Sequence, residues 1–172
     1  MNILITNSFI LDDGNYNFIV AQTIGKIISV LPLHWKYQVH PAIRMKILKE
    51  LFQRKWNILV HFGYEKHEKG MRDITDWQYV LSFPSQNLDL AIFLCCQSSR
   101  IAQSLVKHGY LSRAIGFPQE IRMDICHSFI TEIIHNLALW PMDTAYIRSG
   151  FDYSCRQLEN VSLEKPTLFL KP

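Results

Sequence analysis

Apolar and polar positions along the chain fall into blocks that switch between the two-residue period of a strand and the 3.6-residue period of a helix. Ile3-Leu4-Ile5-Thr6 is a short β-rich apolar run, the kind buried in a parallel sheet. Residues 7–17 are loop-like, with Asp12, Asp13 and Gly14. Phe18, Ala21, Ile24, Ile27 and Ile28 then repeat at helical spacing, and Leu31-Pro32 ends that helix. Residues 35–39 read as a second strand, broken by His40-Pro41. Residues 42–54 give the clearest helical pattern, with Ile43, Ile47, Leu48 and Leu51 on one face. Residues 58–62 are another buried strand, stopped at Gly63, and residues 64–76 are a polar loop. A short strand is expected at residues 79–83 and an apolar one at 88–94. A helix is expected over 98–108, with Gly109 just past its end. Residues 113–117 read as a strand stopped by Pro118. Ile125, Phe129, Ile130, Ile133, Ile134 and Leu137 mark a strongly amphipathic helix that Trp140-Pro141 closes. Beyond it the pattern weakens, with Thr167-Leu168-Phe169-Leu170 a small edge strand or docked tail.

Strand-like and helix-like runs alternate from end to end without repeats. This predicts one α/β domain over residues 1–172, a three-layer α/β/α sandwich around a mostly parallel twisted sheet, with 141–172 as a docked C-terminal tail. The length of 172 residues suits one full hydrophobic core. A net charge of +3, scattered along the chain, argues against nucleic acid as a partner. No apolar run is long enough to span a membrane, and the N-terminus lacks a basic region and a cleavage site. The four cysteines, Cys95, Cys96, Cys126 and Cys155, have neither zinc spacing nor the look of a disulfide framework. We therefore expect reduced thiols, a cytoplasmic protein, and no metal or other cofactor. A homo-oligomer is left open.

The stretch Leu90-Ala91-Ile92-Phe93-Leu94-Cys95-Cys96-Gln97 carries the candidate chemistry. It runs from a buried strand into a helix, and a thiol at a helix N-terminus is favoured as thiolate by unpaired N–H groups and the dipole. Plain burial is the competing reading, since free cysteine is among the most buried residue types. The supply of bases is His34, His40, His61, His67, His108, His127 and His135. His61 lies near the C-terminal edge of a presumed central strand, although a strand histidine is more often a satisfied core residue. His67 rides the polar loop, and His127 and His135 are expected on an outer face or flank of their helix. The loop itself is dense in charge, with Glu65, Glu68, Arg72, Asp73 and Asp76; Arg72 suits a carboxylate or an oxyanion. The glycines are isolated, so no phosphate-binding loop is present.

In order along residues 1–139, these pieces resemble pyroglutamyl peptidase I, the cysteine peptidase family that removes an N-terminal pyroglutamate. The resemblance rests on Asn2-Ile3-Leu4-Ile5-Thr6, on the loop with Phe9, Asp12, Gly14 and Asn17, and on Ile58-Leu59-Val60-His61-Phe62-Gly63. It continues through Gly70-Met71-Arg72-Asp73-Ile74-Thr75, Phe93-Leu94-Cys95 and Ala114-Ile115-Gly116-Phe117-Pro118. It implies a pyroglutamyl-peptidase-like fold, Cys95 as nucleophile and aromatic pocket walls at Phe9, Phe93 and Phe117. The family's Cys, His and Glu do not all carry over. Trp77 stands where the Glu belongs, with Asp76 the nearest carboxylate, and Gly116 stands where the His belongs. The chain is also shorter than the family between Pro84 and Leu90. The expectation is thus a divergent relative acting on an amide, acyl or cyclic substrate, small or peptide-like, with Cys95 catalytic and Phe9, Tyr64, Arg72, Trp77 and Phe93 contacting substrate. A catalytically inactive relative that binds a protein partner or small ligand through the same cleft is the alternative.

Overall fold

The computed structural model describes residues 1–7, 14–40, 50–63, 74–82, 88–118, 123–139, 143–158 and 165–171. Six strands form one sheet in the order β2-β1-β3-β4-β5-β6. They are β1 (Asn2–Asn7), β2 (Lys36–His40), β3 (Ile58–Phe62), β4 (Leu90–Leu94), β5 (Arg113–Gly116) and β6 (Thr167–Leu170). The first five run parallel, and β6 closes the edge antiparallel to β5. β3 and β4 are buried at every position, so they read as continuous apolar runs, whereas edge strand β2 is only partly covered.

Among the described residues five helices cover the two faces: α1 (Gly14–Val30), α2 (Ile74–Leu81), α3 (Ser99–Lys107), α4 (Met123–Leu139) and α5 (Thr144–Leu158). On one face Val20 and Ile27 of α1, Phe129, Ile130, Ile133, Ile134 and Leu137 of α4, and Ile147 and Phe151 of α5 pack against Ile3, Ile5, Val60 and Ile92. On the other face Trp77 and Leu81 of α2 and Ala102, Leu105 and Val106 of α3 pack with Leu51, Phe52 and Trp56 against Leu4, Leu59, Ala91 and Phe93. Alternate residues of each strand feed the two cores, as the two-residue period demands. The expected α/β/α sandwich with a mostly parallel sheet is what forms. Among the described residues no helix is long and apolar enough to cross a membrane.

Two local expectations change, and a third lies mostly outside the described residues. Residues 79–81 of the expected strand belong instead to helix α2, which begins at Ile74 inside the expected loop, and Phe83 lies outside the described residues. Trp77 and Leu81, four residues apart, supply its buried stripe. The weakly patterned C-terminal region contains α5, whose inward face is Ile147, Phe151, Ser154 and Cys155. The helix expected over 42–54 lies outside the described residues except at its end, where Leu51 and Phe52 are buried.

The strand order places the site. From β1 the chain adds β2 on one side and then β3 on the other, so the crossovers diverge between β1 and β3. In an open parallel sheet, ligands bind outside the strand C-termini at such a divide. Thr6 and Asn7 end β1, and His61 and Phe62 end β3, in register as Thr6↔His61 and Asn7↔Phe62.

Candidate functional site

β3 and β4 pair in parallel register up to Phe62↔Leu94, which sets Gly63 against Cys95 one step beyond the paired strands. The Gly63 N–H donates to Leu94 O at 3.2 Å and holds that step. A carbon at the Cβ position of Gly63 would lie 2.8 Å from Cys95 Cβ, 3.4 Å from Cys95 Sγ and 3.3 Å from His61 Nε2. The thiol and the imidazole therefore converge over a glycine, and only a residue without a side chain leaves room for both.

His61 is 1% exposed. Its Nδ1 lies 2.8 Å from Thr6 Oγ1 on the neighbouring strand. Its ring sits in an aromatic corner, edge-on to Trp77 with centroids 5.0 Å apart and to Phe93 at 6.5 Å. Trp77 and Phe93 in turn meet edge-to-face at 5.0 Å. Such pairs add to area burial and fix ring orientation. Burial alone pushes the His61 imidazole down to about 4, so the ring is neutral at pH 7.

Cys95 is half-buried and opens a tight turn that reverses the chain from β4 into α3. Gln97 adopts the left-handed conformation there, with φ at 55°. Ser98 fastens the turn. Its hydroxyl donates to Phe93 O at 2.8 Å and accepts from the Phe117 N–H at 2.9 Å, and its own N–H donates to Cys95 O at 3.3 Å. Ser98 is fully buried, and Gly116 lets β5 approach it so closely that a Cβ would fall 2.7 Å from Ser98 O. The helix starts at Ser99, close to the expected Ser98, so Cys95 lies on the turn just before it. Its sulfur and the His61 imidazole both border the space above Gly63.

Comparison with known proteins adds the fold family. No protein-family model matches the sequence, and no curated protein matches it. Solved structures do match. A secreted C11 cysteine protease from Bacteroides thetaiotaomicron, determined in complex with an irreversible peptide inhibitor, superposes with a TM-score of 0.67 at 10% identity, covering 99% of this chain and 66% of that one. An inactive zymogen C11 protease from Parabacteroides distasonis gives 0.70 at 12% identity, covering 99% and 61%. This chain has the fold of the C11 cysteine proteases. It spans less than two thirds of the length of either neighbour. The cysteine-peptidase part of the sequence resemblance thus has a structural counterpart, and it lies with the C11 proteases; the pyroglutamyl peptidase family is not among these two neighbours.

Of the residues expected to form the site, the fold brings Cys95, Trp77 and Phe93 to one place. Trp77 and Phe93 are both 0% exposed. They pack edge-on beside His61 within the second core and present no surface to a substrate. Phe9, Tyr64 and Arg72 lie outside the described residues. Phe117 is likewise core, packed edge-to-face on Phe129 at 5.7 Å. His61, which from sequence reads more readily as a satisfied core residue, is buried and also borders Cys95 across Gly63. Thr6 and Gly63 figure in the sequence pattern only as strand ends, and Ser98 only as a helix start. Among the described residues no three His, Cys, Asp or Glu side chains are grouped to hold a metal ion. His127 is tied to its flank by Thr23, with Nδ1 2.8 Å from Thr23 Oγ1, and His135 is exposed.

Proposed function

We propose that this protein is a cysteine-dependent hydrolase or acyl-transfer enzyme acting on amide or acyl groups of peptide-like or small substrates, with Cys95 as nucleophile and His61 as its base. The reading is carried by the convergence of Cys95 Sγ and His61 Nε2 over Gly63 at the strand C-terminal edge. In the proposed reaction the sulfur attacks the acyl carbon while Nε2 takes the thiol proton. That proton then goes to the leaving nitrogen, and water releases the acyl group from the thioester. Tyr64 and Arg72 remain the proposed substrate contacts. Pyroglutamyl specificity has only the sequence resemblance behind it, and a C11-type action on peptides has only the fold. A cytoplasmic setting has only the cysteine usage of the sequence behind it, whereas the Bacteroides neighbour is a secreted protein.

Turnover of a panel of reporter peptides, including a pyroglutamyl substrate, by wild type, Cys95→Ala and His61→Ala tests this. Turnover lost in both variants is the expected result. Equal, negligible rates in all three proteins reject the enzyme reading.

The second reading is a non-catalytic relative that binds a partner or small ligand in the same cleft. One observation favours it: burial holds the imidazole at about 4, which makes His61 a weak base near neutral pH. It predicts ligand binding that survives Cys95→Ala.

A further inference from the structure

We infer that Thr6 is a positioning residue, whose hydroxyl accepts a hydrogen bond from His61 Nδ1–H and so fixes the tautomer in which the Nε2 lone pair faces Cys95. The catalytic meaning of this inference rests on the cysteine-hydrolase reading above; the tautomer itself does not.

A threonine hydroxyl has one proton to give and two lone pairs. Thr6 Oγ1 has two polar neighbours, Val60 O at 3.5 Å and His61 Nδ1 at 2.8 Å. A carbonyl oxygen accepts only, so with the hydroxyl proton given to Val60 O the short contact is filled by a proton on Nδ1. The opposite arrangement turns the hydroxyl proton to Nδ1 and places a proton on Nε2, pointing at the side where the sulfur lies. Thr6 is 0% exposed and His61 1%, so bulk water does not exchange either arrangement freely. The short parallel pairing Thr6↔His61 holds the two side chains on the same face of the sheet.

The molecule contains the same device elsewhere with its direction fixed. Thr23 Oγ1 donates to Ile19 O at 2.8 Å, one turn back in α1, so its contact with His127 Nδ1 at 2.8 Å must be filled by a proton on that nitrogen. His108 Nδ1 likewise lies 2.8 Å from the Ser104 carbonyl, which can only accept. Two histidines in this chain therefore serve as internal references for a protonated Nδ1. His61 differs in that its other nitrogen turns towards Gly63 and the Cys95 sulfur. Which ring nitrogen carries the proton is set by the bond the other one makes.

The experiment is nitrogen-15 NMR of the histidine rings in the full chain, at neutral pH, on wild type, Thr6→Val and Thr6→Ser. Wild-type His61 is expected to show a protonated Nδ1 and a bare Nε2, as His108 does at Nδ1. Thr6→Val removes the hydroxyl at nearly constant volume and is expected to move His61 towards the Nε2–H form, with Thr6→Ser restoring the wild-type pattern. In parallel, iodoacetamide labelling of Cys95, resolved from Cys96 by peptide mass, is expected to slow by on the order of tenfold in Thr6→Val and to recover in Thr6→Ser. A wild-type ring protonated on Nε2 overturns the inference without any variant having to fold. So does a Thr6→Val protein with an unchanged tautomer and unchanged labelling. A confirmed tautomer together with absent peptide turnover leaves Thr6 as stated and rejects the enzyme reading alone.

Discussion

Acid should weaken this fold through His61 in a calculable way. The imidazole is held at about 4 in the folded chain against 6.5 for an exposed histidine. Below 6.5 the unfolded chain takes up a proton that the folded chain refuses until pH falls to about 4. The unfolded state therefore binds more protons across that window, and stability rises with pH through it. The His61 contribution is complete above 6.5, declines as pH falls, and is gone below about 4. At about 1.4 kcal/mol per pH unit the whole window is worth about 3 kcal/mol, of which about 2 kcal/mol is already lost at pH 5. That is a large share of the roughly 5–15 kcal/mol by which domains are ordinarily stable. His127, lowered by burial and by Lys26, also responds to acid, so the informative quantity is a difference. His61→Asn keeps an N–H to face Thr6 but cannot gain charge. Urea unfolding of wild type and His61→Asn at pH 7.5, 6 and 5 should show wild type losing about 2 kcal/mol more than the variant by pH 5. Parallel curves, agreeing to within about 0.5 kcal/mol, would refute the argument, because they would mean that the ring accepts a proton where it lies.

Other sites give sharp expectations. Ser98→Ala strands two buried backbone groups, Phe93 O and the Phe117 N–H, and should cost about 2–4 kcal/mol in urea unfolding. Gly63→Ala places a carbon 2.8 Å from Cys95 Cβ; it should cost about 1–3 kcal/mol and change the labelling rate of Cys95 more than that of Cys96, and equal rates for both would count against the crowding. Trp77→Ala removes a fully buried ring beside His61, should cost about 3–5 kcal/mol, and should raise the His61 pKa towards its ordinary value as water enters, which an NMR titration reads directly.

Periodicity alone located β1, β3, β4, β5, α1, α3 and α4, because each carries an unbroken apolar run or a full helical stripe. Helix α2 hid because it is short and its stripe rests on few residues, Trp77 and Leu81 among them; its Tyr79-Val80 pair reads as β-rich when the tryptophan is not counted. Helix α5 hid because two of its four inward residues are Ser154 and Cys155, which give little apolar signal. Cys95 was legible as the residue following a buried strand. His61 was visible but discounted. What pairs them is register, since β3 and β4 have five residues each and end together at Phe62 and Leu94. Counting outward from two parallel strands of equal length would have set Gly63 opposite Cys95. The bond from Thr6 to His61 has no such signal, because it depends on which strand lies beside β3, and that follows from the crossover at β1.

The same burial that orders the site limits its chemistry. A cysteine–histidine pair at rest can be a thiolate beside an imidazolium or a thiol beside a neutral ring. The aromatic corner of Trp77 and Phe93 and the full burial of His61 oppose a standing charge on the ring. The neutral pair is therefore the resting state that these contacts favour, and Thr6, with no negative charge, does not reverse it. A carboxylate in the place of Thr6 would stabilise the imidazolium directly; a hydroxyl orients the ring and leaves its charge uncompensated. On the proposed reading, proton transfer from sulfur to Nε2 accompanies attack on the acyl carbon and does not precede it. The burial that sets this proton affinity is also what steadies the strand ends, so a more basic His61 and a firmer fold pull against each other at one residue.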